Sequence, residues 1–166
     1  MTAVTIRPER VGDAAAISTL TAAAFAGVEH SDGSEPVIVE RLREDGDLAL
    51  SLVAEDEDRI VGHVAVSPVT ISNGTTGWYG LGPISVHPDH QRSGVGFRLM
   101  QRAIADMRVK EAAGIVLLGD PAYYGRFGFE HDPQLTYQGP PAEYFQQLVL
   151  DGEAPSGVVT YAPAFA

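Results

Sequence analysis

The segment from His87 to Gly96 contains residue types that can bind an anion. It follows a β-type run and leads into a helical pattern through Gly94 and Gly96, which are separated by one residue. Glycines at the start of a helix let phosphate oxygens approach backbone N–H groups, where the helix dipole is positive. Arg92 and the Ser93 hydroxyl can add direct phosphate contacts. The segment therefore predicts a phosphate-binding loop.

The glycine spacing alone leaves a second interpretation open, because a tight turn before a helix has the same pattern. A dinucleotide-binding fingerprint is disfavoured, since it requires a third glycine and an N-terminal βαβ unit. The loop also contains no Gly-Lys-Ser/Thr, so it is not a P-loop.

A second segment, Gly119 to Phe129, reads Gly-Asp-Pro-Ala-Tyr-Tyr-Gly-Arg-Phe-Gly-Phe. With Val86-His87-Pro88 and Gln91-x-x-Gly94-x-Gly96, it resembles the paired motifs of the GNAT N-acetyltransferase superfamily. The final Gly157-Val-Val-Thr-Tyr and the opening Ile6-Arg-Pro-Glu add similarity to a bacterial YhbS-like subgroup. The resemblance covers nearly the whole chain. It implies the GNAT fold, an α/β (α+β) arrangement with a mostly antiparallel central sheet flanked by helices.

The resemblance also implies acetyl-CoA as the co-substrate. In this family two central strands, here Leu81–Val86 and Ile115–Leu118, splay apart around the pantetheine arm. The residues that would line the arm are Ile84, Ser85 and Val86. Those that would hold the pyrophosphate are Gln91, Arg92, Ser93, Gly94, Val95 and Gly96. A physical cause for the splaying is present, because Pro83 after Gly82 removes a donor from the strand and predicts a bulge there.

The family resemblance assigns Tyr124 as the general acid. The reaction would be direct attack of a neutral amine on the thioester, with loss of a thiolate. A phenol of pKa about 10 stays protonated at neutral pH and can donate to a thiolate of pKa roughly 8.5. Tyr123 is expected to face the other way on a short helix. The alternative is that both tyrosines pack beneath Phe127 and Phe129.

Candidates for the general base lie in the helical region that forms the acceptor side in this family. They are Glu29, His30, Glu35 and Glu40, with Glu35 chosen as base or acceptor-side residue. His63 alternates with valines on a strand, and this pattern is also typical of a histidine that packs in the core or lines a cleft. His87, Asp89 and His90 could suggest a metal site, but they lack a third soft ligand, so no metal is expected.

The elements that would position these residues follow from periodicity. Asp13 predicts a helix N-cap, and the acidic turn Asp56-Glu57-Asp58 predicts a hairpin between Leu48–Glu55 and Ile60–Ser67. A helix is expected from Val95 to Glu111, with Phe97, Met100, Ala103, Ile104 and Met107 on its core face. Tyr144 to Leu150 is interpreted as a helical segment and Val158 to Tyr161 as a strand.

Composition limits the class of protein. The chain has 166 residues, which favours a single domain over 1–166, and it contains no cysteine. A net charge of −11 argues against nucleic acid and tilts weakly toward a cationic acceptor. No apolar run is long enough for a membrane helix, and a cytoplasmic location is expected.

The expected acceptor is a small-molecule or peptide amine, and the apolar tail Tyr161–Phe165 would suit a homodimer contact. The rival functions are a non-catalytic acyl-CoA-binding sensor or regulatory module, and a structural or interaction protein.

Overall fold

Six strands form the main sheet in the part of the chain that the computed structural model describes, residues 4–29 and 31–166. The helices and strands are β1 (Thr5–Pro8), α1 (Ala14–Phe25), α2 (Glu35–Asp45), β2 (Leu50–Asp56), β3 (Arg59–Pro68), β4 (Thr70–Ile71), β5 (Trp78–Val86), α3 (Val95–Val109), β6 (Gly114–Leu118), α4 (Pro121–Tyr124), β7 (Leu135–Thr136), β8 (Phe145–Val149) and β9 (Gly157–Thr160). The order across the sheet is β1-β2-β3-β5-β6-β8, and β4, β9 and β7 form a smaller sheet. Neighbours in the main sheet are antiparallel except β5 and β6, so the predicted fold class is confirmed.

Helices cover both faces of the main sheet. On one face, Leu99 and Met100 of α3 are fully buried in a core that includes Leu52 and Val64. On the other face, α1 and α2 pack against β2 and β3, for example through Ile17 and Val39 against Val53 and through Leu42 against Ala65. None of the described helices is both long and apolar enough to cross a membrane.

Two local features depart from the expected detail. Asp13 does precede α1, but its carboxylate does not cap the helix and instead accepts from the Arg7 guanidinium at 2.8 Å. Phe97, expected on the core face of α3, is 38% exposed. It packs on Phe127, with the ring centroids 5.2 Å apart, and so belongs to the surface beside the glycine loop rather than to the core.

The segment Tyr144 to Leu150 is not helical, and the prediction for it was wrong. Phe145–Val149 forms β8, which pairs antiparallel with β6 from Leu118↔Phe145 to Gly114↔Val149. The backbone of a buried strand must be hydrogen-bonded. β8 satisfies the edge of β6 that faces away from β5, along all five residues of β6.

The break predicted in β5 is confirmed. The Gly82–Pro83 peptide is cis, and the pairing of β5 with β3 shifts register between Val64 and Val66. On its other side β5 pairs with β6 only from Trp78↔Gly114 to Gly80↔Val116. Beyond Gly80 the two strands diverge, which opens a gap in the centre of the sheet.

The C-terminal tail packs against its own chain. Ala162 and Ala164 are buried in a cluster with Leu42, and a side chain at Gly80 would overlap the Tyr161 ring. Ala162 and Ala164 are therefore used within the same chain, and a homodimer contact through the tail stays a prediction.

Candidate active site

The edge of β5 that faces the gap presents backbone polar groups. Ser85 is in register with His63 on β3, and the His87 N–H donates to the Val61 carbonyl at 2.8 Å. Successive residues of a strand direct their N–H and C=O groups to opposite sides. The backbone groups of Ile84 and Val86 therefore point away from β3 and into the gap.

The side chains of these three residues separate by face. Ile84 and Val86 pack with the core beneath α3, whereas Ser85 is 2% exposed on the opposite face, where α1 lies. Only the backbone of Ile84 and Val86, and not the Ser85 hydroxyl, is thus directed at the predicted pantetheine path.

The loop after β5 curls through two left-handed residues. Arg92 has φ 64° and Gly94 has φ 86°, and Gly94 is the N-cap of α3. Backbone strain at a non-glycine residue such as Arg92 often marks a functional site. The first hydrogen bond of α3 runs from the Arg98 N–H to the Gly94 carbonyl, so the preceding N–H groups have no partner within the helix. These N–H groups and the positive end of the helix dipole form an anion site.

Gln91 and Ser93 are exposed, but their side chains make hydrogen bonds within the loop. The Gln91 side-chain amide donates to the Val86 carbonyl at 3.2 Å. The Ser93 hydroxyl donates to the His90 carbonyl, so a phosphate contact through this hydroxyl would require it to turn. His90 in turn contacts Asp56 at 3.1 Å and ties the loop to the β2–β3 hairpin.

Tyr124 lies beside the gap, at the end of α4. The Asp120 side chain caps α4 by accepting from the Ala122 N–H at 2.9 Å. A side chain at Gly119 would overlap the Tyr124 ring, so this ring lies directly on the backbone that follows β6. Burial, with smaller effects of Tyr123 and Asp120, raises the pKa of Tyr124 to about 12. The phenol is therefore a hydrogen-bond donor at every physiological pH.

Tyr123 occupies a place that sequence reasoning did not assign to it. A Cβ atom at Gly96 would lie 3.6 Å from the Tyr123 hydroxyl, so this hydroxyl reaches the first turn of α3. The Tyr123 ring contacts Tyr124 edge-on at 4.9 Å, and the Arg126 guanidinium lies 4.4 Å from its centroid. The sequence signal is only the adjacency of two tyrosines, and it does not show which one reaches the loop.

A cavity of about 210 Å³ lies on the α1 and α2 side of the gap. Leu81–Pro83 and Leu118 line it where the two strands diverge, and Glu35, the first residue of α2, also lines it. The Glu35 carboxylate accepts from the Ser31 hydroxyl at 2.6 Å. The structure thus brings Glu35 to the opening between β5 and β6.

The other candidate bases are placed differently. Glu29 and Glu40 are exposed and do not line this cavity, and His30 falls outside the described residues. His63 is fully buried, with its Nε2 atom 2.8 Å from the Ser51 hydroxyl. Burial lowers the pKa of His63 to about 4, and the histidine is therefore neutral. Within residues 4–29 and 31–166 no three side chains form a metal-binding group, and His87 Nδ1 accepts from the Asp89 N–H.

Known proteins resemble this chain over most of its length. A family model described as an acetyltransferase (GNAT) domain matches residues 5–131. The uncharacterized N-acetyltransferase YhbS of Escherichia coli K12 is 37% identical over 158 residues, which are 92% of this chain and 91% of that protein. A crystal structure of a GNAT family acetyltransferase from Brucella melitensis in complex with acetyl-CoA has a TM-score of 0.89 and 44% identity, and covers 99% of both chains. Escherichia coli YhbS in complex with CoA has a TM-score of 0.90 and 32% identity, covering 99% of this chain and 93% of that one.

Proposed function

This chain belongs to the GNAT family and is an acetyl-CoA-dependent N-acetyltransferase, and we propose that it acetylates a primary amine by direct attack within a ternary complex. The observation that carries the proposal is the divergence of β5 from β6 beyond Gly80. The resulting gap has the N-terminus of α3 at one end and the cavity that contains Glu35 on one side. Donor and acceptor can therefore approach the same opening from different directions.

The residues around the gap fit acetyl-CoA. The backbone groups of Ile84 and Val86 that point into the gap can pair with the amides of the pantetheine arm. The N–H groups at the start of α3, from Gly94 to Gly96, together with the Arg92 side chain, can bind the pyrophosphate. Gln91 and Ser93 support the shape of the loop through the Val86 and His90 carbonyls.

The chemical step needs a neutral amine, a path for its proton and stabilisation of the leaving sulfur. The amine nitrogen forms a bond to the thioester carbon, and the carbon–sulfur bond then breaks to give the amide and CoA. We assign Glu35 to bind the ammonium form and accept its proton. We assign Tyr124 to donate a hydrogen bond to sulfur as negative charge develops there.

The raised pKa of Tyr124 refines that second assignment. A phenol of pKa about 12 is a weaker acid than a thiol of pKa roughly 8.5. Complete proton transfer from Tyr124 to the thiolate would therefore be uphill. Its contribution is a hydrogen bond that strengthens in the transition state, and the proton that finally reaches CoA comes from solvent or from the amine.

The test combines binding with turnover. Isothermal titration of acetyl-CoA should show saturable binding, and Arg92→Glu should weaken it by about tenfold or more, since a charge-assisted contact becomes repulsive. Arg108→Glu is the matched control, because Arg108 is exposed about 20 Å away at the far end of α3. Release of CoA should then accelerate when amines are added, and mass spectrometry should detect the acetamide. Binding without acceleration by any amine would favour the non-catalytic sensor and overturn the proposal.

A further inference from the structure

The cavity beside the gap has a wall of aromatic rings that comes from the C-terminal part of the chain. Tyr137, Tyr161 and Phe165 line it opposite Leu118 and the β5 break. The Tyr161 ring meets Tyr137 edge-on at 5.0 Å and Phe165 at 5.1 Å between centroids. The three rings therefore form one continuous surface.

The aromatic wall is fixed where the two strands part. Gly80 takes part in the last pair between β5 and β6, and a side chain there would overlap the Tyr161 ring. Tyr161 thus lies directly against the backbone of β5 just before the gap. Phe165 is held in turn by the packing of Ala162 and Ala164 against Leu42 of α2. A molecule in the cavity would meet a rigid aromatic face.

The charge of the cavity comes from a single carboxylate among the described lining residues. This carboxylate belongs to Glu35, and the rest of these residues are apolar apart from two phenols. Burial and the neighbouring Tyr137 raise the pKa of Tyr161, so its phenol stays neutral. The partner of Glu35 is the Ser31 hydroxyl, and no lysine or arginine of the described residues lies within ion-pair distance of it. One ammonium group can be neutralised here, and a second would be buried without a partner.

The cavity is partly open to solvent, and its volume suits a small body beside this ammonium group. An apolar cavity of about 150 Å³ can hold a benzene ring. The 210 Å³ observed here leaves room for such a ring and a short arm, and lies below the roughly 300–1,000 Å³ of pockets for drug-sized ligands. Aromatic faces also attract a cation before it loses its proton.

We propose that the acetyl acceptor is a small monoamine whose single primary amine, paired with Glu35, is carried on an apolar body, preferably an aromatic ring, that packs on Tyr137, Tyr161 and Phe165. This inference rests on the proposed amine acetylation and narrows its substrate. Polyamines are disfavoured, because a second ammonium group inside the cavity would find no second carboxylate among the described lining residues. The lysine of a peptide is disfavoured because its polar backbone would have to approach the aromatic wall.

The experiment compares four acceptors with the intact protein and acetyl-CoA, following CoA release. The acceptors are phenethylamine, ethylamine, spermidine and a lysine peptide with a blocked N-terminus. Phenethylamine should exceed each of the others in kcat/KM by about tenfold or more, which corresponds to roughly 1.4 kcal/mol of additional apolar contact. If spermidine or the peptide equals or exceeds phenethylamine, the inference is wrong while amine acetylation stands. If none of the four is acetylated, the inference is wrong, and amine acetylation is overturned as well only if no other amine accelerates CoA release.

Two variants assign the contacts. Phe165→Leu keeps an apolar side chain but removes the ring, and should lower kcat/KM for phenethylamine by about fivefold while leaving ethylamine within about twofold. Glu35→Gln should lower kcat/KM for both amines by about tenfold or more, because it removes both the charge that binds the ammonium group and the group that accepts its proton, without changing the affinity for acetyl-CoA. Glu40→Gln, on the exposed face of the same helix, should change neither the kinetic constants for the two amines nor the affinity for acetyl-CoA. An equal loss of kcat/KM for both amines in Phe165→Leu would contradict the aromatic contact. The comparison of the four acceptors uses the unmodified protein, so it remains valid even if a variant fails to fold.

Discussion

The donor side and the acceptor side of this site are built from different parts of the polypeptide. On the donor side, backbone groups form most of the surface that would bind acetyl-CoA. They belong to Ile84, to Val86 and to the first turn of α3 after Gly94. On the acceptor side, the cavity is made of side chains. They come from α1, α2, β5, β6 and the C-terminal segment, which lie far apart in sequence.

This difference explains what each side can recognise. A backbone surface of N–H groups suits the invariant pyrophosphate and amide groups of CoA, whatever the acceptor is. A side-chain surface can change with single substitutions while the fold is kept, and therefore suits a variable acceptor. The two sides meet where β5 and β6 diverge, and substitutions on one side should leave the other nearly intact.

The largest effect is expected on the donor side. Gly96→Tyr should abolish measurable acetyl-CoA binding in isothermal titration, because a ring at this position would block several hydrogen bonds, each worth about 1.5–3 kcal/mol with a charged group. Gly96→Ala is the control. Its Cβ would lie 3.6 Å from the Tyr123 hydroxyl and from Val86, which is ordinary contact, so affinity should fall only about twofold to threefold. Normal affinity in Gly96→Tyr would contradict the position of the phosphate site.

How far the sequence predicts each side follows from the same distinction. The donor side depends on glycines and on a proline at fixed spacing, and these residues have few other uses at a strand-to-helix junction. Both the β5 break and the start of α3 were therefore predicted at Gly82-Pro83 and Gly94. Glu35 was one of four candidate acids and bases, and periodicity could not show that, of the three that the structure describes, it is the one that lines the cavity.

The aromatic wall and β8 were beyond sequence reasoning for physical reasons. Tyr161 and Phe165 meet Tyr137 only through tertiary packing of the tail, and no local pattern encodes that contact. A short apolar run such as Phe145–Val149 fits a helix or a strand by periodicity alone. What selects the strand is the edge of β6 that faces away from β5, which needs a hydrogen-bonded partner along its whole length and which only tertiary structure provides.

The second effect concerns His63, a buried residue of β3, and the dependence of the free energy of unfolding on pH. His63 titrates at about 4 in the folded protein and at about 6.5 when unfolded, so the unfolded chain binds the extra proton first. Stability should therefore fall as pH drops from about 6.5 to 4, by roughly 3 kcal/mol from this residue. His63→Gln should flatten that part of the pH profile of urea unfolding, with Glu9 and Arg43 next to it left in place. An unchanged slope would mean that the pKa of His63 is the same in the folded and the unfolded chain.

The third effect tests the role of Tyr124, which lies where the donor side and the acceptor side meet. Tyr124→Phe should lower kcat by roughly tenfold to a hundredfold, because the hydrogen bond to the leaving sulfur is lost, and should change the affinity for acetyl-CoA by less than about twofold. The raised pKa adds a second expectation. In the unmodified protein the phenol keeps its proton until pH approaches about 12, so Tyr124 should produce no alkaline loss of kcat near neutrality. Unchanged turnover in Tyr124→Phe would leave it a packing residue.

The smallest effect tests whether side chains also contribute to the donor side. The Tyr123 hydroxyl lies at the first turn of α3, and its ring is held between Tyr124, Phe127 and the Arg126 guanidinium. Tyr123→Phe keeps all of these ring contacts and removes one donor. The affinity for acetyl-CoA should fall by about threefold to tenfold, the net value of one ordinary hydrogen bond, with kcat unchanged.

The exposed Tyr144 provides the matched control, since Tyr144→Phe removes the same hydroxyl on the segment that leads into β8. If both variants bind acetyl-CoA equally well, the donor side is made of backbone and Arg92 alone. If Tyr123→Phe lowers kcat more than Tyr124→Phe, the two tyrosines exchange roles, because the hydroxyl that reaches the sulfur would then be the one that lies beside Gly96. The ratio of the two kcat values therefore identifies which tyrosine acts on the leaving group.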